Sequence, residues 1–399
     1  MLTIDEALER MLAAALPLAG VEELATQDAA GRVLARAVVA LVDVPPLDNA
    51  QMDGYAVRCR DVVRLPATLP VRLRVTAGQT PSALAPGTAA RIFTGAPIPE
   101  GADAVVMQEA TRTEGEKVTI LETPQPGQWI RRLGSDFSRG APALSAGQAL
   151  RAQHLGIAAS VGVARVSVVR RPRVALFCTG DELAMPGSEA VPGRIYNSNR
   201  FVLKGLLESL GCVVRDLGIV PDTLEATCEA LTQAAADADV ILSSGGVSVG
   251  EEDHVKAALA SLGELQLWQI SMKPGKPLAF GHARGIPFIG LPGNPVSSFV
   301  TFVLLVRPFL LRRLGVQDVA PKTVTLRADF EFVADKARRE FVRARLNASG
   351  GLDLFHSQNA SLLSSVAWAD GLVDLPAATR VERGQSVRFL NFSELTGPA

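Results

Sequence analysis

The segment Ser243-Ser244-Gly245-Gly246-Val247-Ser248-Val249-Gly250-Glu251-Glu252-Asp253 concentrates more potential chemistry than any other stretch of the chain. Glycines let backbone amides approach an anion, hydroxyls add donors, and a following helix would present its positive end. Ser243, Gly245, Gly246, Ser248 and Gly250 are therefore candidate contacts for a phosphate-bearing ligand. The spacing matches neither the dinucleotide fingerprint nor the P-loop. An ordinary strand-to-helix turn with a capping carboxylate would use the same composition.

Two more loops follow expected strands: Cys178-Thr179-Gly180-Asp181-Glu182 and Leu291-Pro292-Gly293-Asn294-Pro295-Val296-Ser297-Ser298. Asp181 and Glu182 read either as a metal- or hydroxyl-binding pair or, for Asp181, as a helix cap. Pro292 and Pro295 would shape their loop. Lys273-Pro274-Gly275-Lys276-Pro277 sets two cations on a segment stiffened by prolines, which suits an oxyanion. Loop carboxylates Asp53, Asp136, Asp222 and Asp253 would suit a hard cation such as Mg²⁺ bridging oxyanion oxygens. Arg338, Arg339, Arg343 and Arg345 alternate along a candidate strand, with the last three on one face; an anion contact and a solvated edge are both open. The four histidines have no zinc spacing.

Strand-to-loop junctions of this kind need a parallel sheet behind them. From Arg173 onward, apolar strand candidates Val174–Phe177, Val213–Leu217, Val240–Leu242 and Pro287–Ile289 alternate with helical stretches Asn199–Leu210 and Leu224–Ala236. That order predicts an α/β unit with helices on both faces and ligands beyond the carboxyl ends of the strands. Before it, Thr3 and Glu6 form a capping box on a first helix, and Pro45-Pro46 marks a crossing. Short period-two strands then fill about 57 to 127, and short strands return after Gly315. The expected units are a body (1–50 and 130–170), an inserted β-rich domain (51–129), an α/β domain (171–315) and a C-terminal β domain (316–399).

Composition removes several classes. The 40 basic and 41 acidic side chains nearly cancel, so any anion site must be local rather than a whole-molecule field for nucleic acid or membrane. Four cysteines without a C-x-x-C pair fit a reducing compartment, and the N-terminus has no basic region followed by an apolar run, so a cytoplasmic location is expected. Phe299–Leu311, interrupted by Arg307 and Pro308, reads as a buried helix.

Taken in order, PPLDN with MDGYAV (45–57), RIFTGA (91–96), TGDEL (179–183), the GGVSVGEED loop, KPGKP and LPGNPVS resemble the MoeA family, the molybdopterin molybdenumtransferases that include the E domains of gephyrin and of plant Cnx proteins. The resemblance covers nearly the whole chain. It implies a multidomain α/β fold: a body, an inserted β domain, a MogA-like molybdopterin-binding α/β domain and a C-terminal β barrel. It also implies a homodimer whose active site lies between one subunit's α/β domain and the other's body or inserted domain. The implied reaction takes adenylylated molybdopterin, molybdate and Mg²⁺, releases AMP and leaves molybdenum on the dithiolene.

Carried over by motif, Asp53, Thr94, Glu182, Asp222 and Asp253 would be catalytic, with Asp53 and Thr94 reaching in from the partner. The glycine-rich loop with Lys273, Lys276, Pro292, Pro295, Arg343 and Ser361 would bind substrate, and Glu182, Asp253 and Asp136 would serve the metal. A MogA-type adenylyltransferase and apo-molybdoenzymes are the implied partners. A tungsten-inserting paralogue or a gephyrin-like scaffold would share these motifs.

Overall fold

The computed structural model describes residues 1–189, 191–246 and 254–397. Its centre is a six-stranded sheet in the order 213–220, 173–179, 240–244, 286–291, 277–283, 263–269. The first four strands run parallel, as the β/α alternation requires. The last two are antiparallel, which sequence alternation alone does not show. The reason for the hairpin is local: Arg284 and Gly285, between the paired residues Ala283 and Ile286, both take positive φ (48° and 81°), the two-residue turn whose twist matches a hairpin.

Strand period two sends alternate residues into two cores. Val174, Leu176, Val240, Leu242 and Ile289 face helix Ser198–Ser209 and the long apolar helix. Ala175, Phe177, Ile241 and Phe288 face helices Leu224–Ala235 and His254–Leu262. The long helix runs Pro295–Arg313 with a π-helical stretch at Phe302–Val306; 89% of its most apolar window is buried inside the protein, as expected for a core helix.

The N-terminal helix Ile4–Ala14 has the expected capping box, Thr3 Oγ1 accepting from Glu6 N–H and Glu6 accepting from Thr3 N–H. It buries Ile4, Ala7 and Met11 in the same core as the long helix. Three antiparallel ladders join 21–50 to 130–169: Val21–Ala25 with Arg165–Val169, Val38–Val39 with Pro142–Leu144, and Asn49–Ala50 with Ile130–Arg131. Between them the chain forms an inserted six-stranded sheet with its own apolar cores.

The C-terminal strands follow the path 339–346, 371–375, 386–391, 324–327. Strand Leu352–Leu354 pairs with 339–346, and a parallel bridge from Leu352 to Ala328 brings the two ends of the path together. Strand 339–346 also pairs, in parallel, with Met272–Lys273 of the α/β unit.

Asp239 ties the linker at 170–173 to the central sheet. Its carboxylate accepts two bonds from the Arg170 guanidinium (2.7 and 2.6 Å) and one from Arg173 N–H (2.7 Å). Burial pushes the carboxyl up, but these donors outweigh it and hold it below the usual range. The stability Asp239 contributes is therefore present above the unfolded-state pKa of about 3.9 and lost as pH falls through the lower folded-state value. Asp239→Asn is expected to cost about 1–2 kcal/mol near neutral pH. In Tm measurements, the gap to wild type should close in acid.

Candidate active site

The carboxyl ends of the four parallel strands open into a cleft of about 1100 Å³, lined by the loops at 178–183, 195–199, 244–246, 273–277 and 292–297 and by 358–361 of the C-terminal unit. The glycines in its floor have steric work to do. Gly245 has φ +92°, and a Cβ there would collide with the Thr179 carbonyl. Gly246 has φ +65°, and its Cβ would sit 2.5 Å from Val255 Cγ2 and 2.9 Å from Thr179 Cγ2. Only glycine lets this backbone lie against the neighbouring strand end, where Gly245 N–H donates to the Leu291 carbonyl at 3.1 Å. Asn199, one residue into its helix, donates to Ser244 Oγ (2.8 Å) and to the Gly293 carbonyl (2.7 Å), locking two loops together. Ser244 Oγ donates in turn to the Pro292 carbonyl at 3.3 Å.

Charge of both signs lines the cleft. Lys273, Lys276 and Arg338 supply cations; Glu182 and Asp222 supply carboxylates. Asp222 accepts from Thr179 Oγ1 (3.1 Å), and its own N–H meets Asp181 Oδ1 at 3.4 Å. Asp181 caps no helix, because the chain after it enters the short strand Leu183–Ala184. Among the described residues no three His, Cys, Asp or Glu side chains converge as a preformed metal cage. Cys178 is buried and its thiol is pushed up to about 11 by burial, which removes it as a nucleophile.

The structure brings Glu182, Asp222, Gly245, Gly246, Lys273, Lys276, Pro292, Pro295 and Ser361 around this one cleft. Ser248, Gly250 and Asp253 lie outside the described residues. Two expectations need correction. Ser243 is fully buried with its hydroxyl unpartnered among the described residues, because strand alternation turns it to the core; Ser244 faces the cleft instead. Arg343 is only 1% exposed and does not line the cleft. Its guanidinium donates to Ser365 Oγ (3.1 Å) and to the Asn359 carbonyl (3.2 Å), and burial pushes it down to about 10. It lies inside the C-terminal sheet rather than on a solvated edge, and it is bonded to the 358–361 segment through the Asn359 carbonyl and Gln358. Within that segment Asn359 Oδ1 accepts from the backbone N–H and the hydroxyl of Ser361, both at 3.0 Å.

Asp53, Thr94 and Asp136 do not line this cleft. Asp53 and Thr94 meet each other on the inserted domain: Asp53 Oδ1 accepts from Thr94 N–H (2.8 Å) and Oγ1 (2.7 Å), bonds that hold its carboxyl below the usual range. Asp136 is exposed on the body beside the Val44–Phe137 bridge, so one chain does not unite it with Glu182. Sequence reasoning missed Asn197, Asn199 and Asn359 as cleft residues, whereas Arg338, read as a possible anion contact, and Ser244, in the glycine-rich segment, do line the cleft. For Asn197 a signal was present: its side chain accepts from Arg200 N–H as a helix N-cap.

Three family models cover the chain: the MoeA N-terminal region (domain I and II) over 2–162, a probable molybdopterin binding domain over 175–312, and the MoeA C-terminal region (domain IV) over 325–392. The molybdopterin molybdenumtransferase of Haemophilus influenzae is 44% identical over 405 aligned positions, spanning 100% of both chains. The chain belongs to the MoeA family. Its relative of the same name from Nostoc is 40% identical over 376 positions, with 90% of this chain and 86% of the relative covered. The crystal structure of the Pyrococcus horikoshii MoeA protein aligns over 98% of this chain and 100% of that one, with a TM-score of 0.85 at 29% identity. The MoeA fold thus extends over the C-terminal strands as well as the α/β unit.

The glycine-rich turn gives a direct test. Gly246→Ala is expected to cost about 1–3 kcal/mol through its positive φ and the contact with Val255. Gly293→Ala, where a Cβ meets nothing within 4 Å, is expected to stay within about 0.5 kcal/mol of wild type in denaturant unfolding.

Proposed function

We propose that this chain is a molybdopterin molybdenumtransferase, which moves molybdenum from molybdate onto adenylylated molybdopterin with release of AMP. One observation carries the reading: a glycine turn and a two-lysine loop meet at the carboxyl end of a parallel sheet, in a cleft of about 1100 Å³. That volume exceeds the usual range for small-ligand pockets and suits a pterin joined to a nucleotide through a pyrophosphate.

The glycine turn after Ser244 would receive the pterin phosphate, and Lys273 and Lys276 the oxyanion. A water or molybdate oxygen would attack the pterin-side phosphorus as its P–O bond to AMP breaks. The two dithiolene sulfurs would take the molybdenum, while the displaced molybdate oxygen leaves as water with the thiol protons or stays on the phosphate. No enzyme nucleophile is required, so the protein's part is to position the reactants and balance their charge. Glu182 and Asp222 offer two hard carboxylate groups, which fits the way Mg²⁺ is commonly held by one or two carboxylates with substrate phosphates completing the shell. Such an ion would neutralise pyrophosphate charge. Asp253 and Asp136 are the further metal candidates.

A homodimer belongs to the same proposal. Asp53 and Thr94 form an ordered pair away from the chain's own cleft, and Leu41, Val42, Leu47 and Leu133 are exposed on the body, an apolar surface suited to a second copy. Four free cysteines agree with a cytoplasmic site of action. There the chain would take substrate from a MogA-type adenylyltransferase and pass product to apo-molybdoenzymes.

The test is AMP release from adenylylated molybdopterin with Mg²⁺ and either molybdate or tungstate, followed by reconstitution of an apo-molybdoenzyme. Oxyanion-dependent AMP release with active product is expected; tight binding without AMP release would sink the transferase reading. Chelating Mg²⁺ should abolish release. Lys276→Met should raise the molybdate KM at least about tenfold, the loss of one charge-assisted contact.

A further inference from the structure

The two lysines of the 273–277 loop are set by more than their prolines. Lys273 Nζ lies 2.9 Å from Glu340 Oε1, and the Glu340 side chain is only 2% exposed. The second carboxylate oxygen is also engaged, accepting from Asp335 N–H at 2.8 Å. The backbone reinforces the contact, since Met272–Lys273 pairs in parallel with Arg339–Glu340. Arg339 N–H donates to the Ser271 carbonyl (3.1 Å) and Ser271 Oγ to the Ala337 carbonyl (2.9 Å). A buried carboxylate of the C-terminal unit is thus built around one ammonium of the α/β unit.

The lysine is not consumed by this pairing. Its side chain is 41% exposed and lines the cleft, and an ammonium has three donors of which Glu340 takes one. A free lysine would spread over many rotamers and lose that entropy on meeting a ligand. One held at its tip by a fixed carboxylate presents its remaining N–H groups in a single direction.

We propose that Glu340 is a positioning residue for the substrate oxyanion, acting through Lys273. This rests on the reading of the cleft as an oxyanion site. The alternative role for a carboxylate there, diluting positive charge, has the opposite sign. Removing its charge would then tighten oxyanion binding, whereas loss of positioning weakens it.

The experiment measures steady-state AMP release in wild type, Glu340→Gln, Lys273→Met and the double variant, with molybdate and adenylylated molybdopterin varied separately. Thermal unfolding of each variant accompanies the kinetics. Glu340→Gln is expected to raise the molybdate KM about tenfold and leave the KM for the pterin nucleotide within twofold. In the Lys273→Met background the same change should have no further effect on the molybdate KM. The double variant also removes both charges of the pair, so it folds without an orphaned buried carboxylate and keeps the comparison readable. An unchanged or lowered molybdate KM in Glu340→Gln, equal rises in both KM values, or additive effects in the double variant would overturn the proposal. Wild-type protein that releases no AMP with molybdate would instead sink the transferase reading itself.

Discussion

The parallel pairing of Met272–Lys273 with Arg339–Glu340 is the contact on which the cleft depends. It fastens the C-terminal sheet to the edge of the α/β unit, and every cleft group beyond the α/β unit's own strand ends follows from it. Arg338 reaches the cleft because it immediately precedes this strand, its guanidinium held by Asp335 at 2.6 Å. The 358–361 segment reaches it because Arg343, further along the same strand, binds the Asn359 carbonyl while Gln358 Oε1 accepts from Arg343 N–H. Arg339 adds a third tie, bidentate to Asp374 at 2.7 Å and to Asp5 of the N-terminal helix at 3.1 Å.

That arrangement explains why so many ionisable groups sit at low exposure on two neighbouring strands, 339–346 and 371–375. A charge taken out of water is costly unless paired and hydrogen-bonded, and breaking such a pair leaves the other partner stranded. Glu340, Asp374 and Arg343 are each nearly buried, and each is paired or hydrogen-bonded. Their value is geometric. They fix the register in which two sheets meet, and with it the relative placement of the lysine loop at 273–277 and the serine-containing turn at 358–361.

The cleft itself follows the general behaviour of open α/β sheets, with ligand space beyond the carboxyl ends of the parallel strands. Its floor is glycine because a neighbouring strand end lies too close for any side chain. Its rim mixes cations and carboxylates, which suits a ligand that is anionic at one point and needs a hard cation at another. The inserted domain holds its Asp53–Thr94 pair apart from all of this, braced beneath by Arg91, which stacks over Tyr55 and Phe93.

Local chemistry settled much of this in advance. The capping box of the first helix, the helices after 198 and 224, the parallel strands and the glycine and lysine loops were all legible, because each depends on side-chain period, caps or turn residues within a few positions. What sequence could not supply was anything that depends on which strand lies beside which. Ser243 and Ser244 exchange roles because strand pleating, fixed by packing on both sheet faces, decides which hydroxyl meets the cleft. Arg343 looked like a ligand contact because arginines attract anions, but its strand lies between two others and its guanidinium donates to a hydroxyl and a backbone carbonyl of its own unit. Glu340 reads from sequence only as a strand residue, since a glutamate flanked by Arg339 and Arg343 looks like an ordinary surface charge until a strand from another unit is laid against it. Residue types and their spacing determined the chemistry available to the chain, and long-range pairing decided which of those groups the cleft would use.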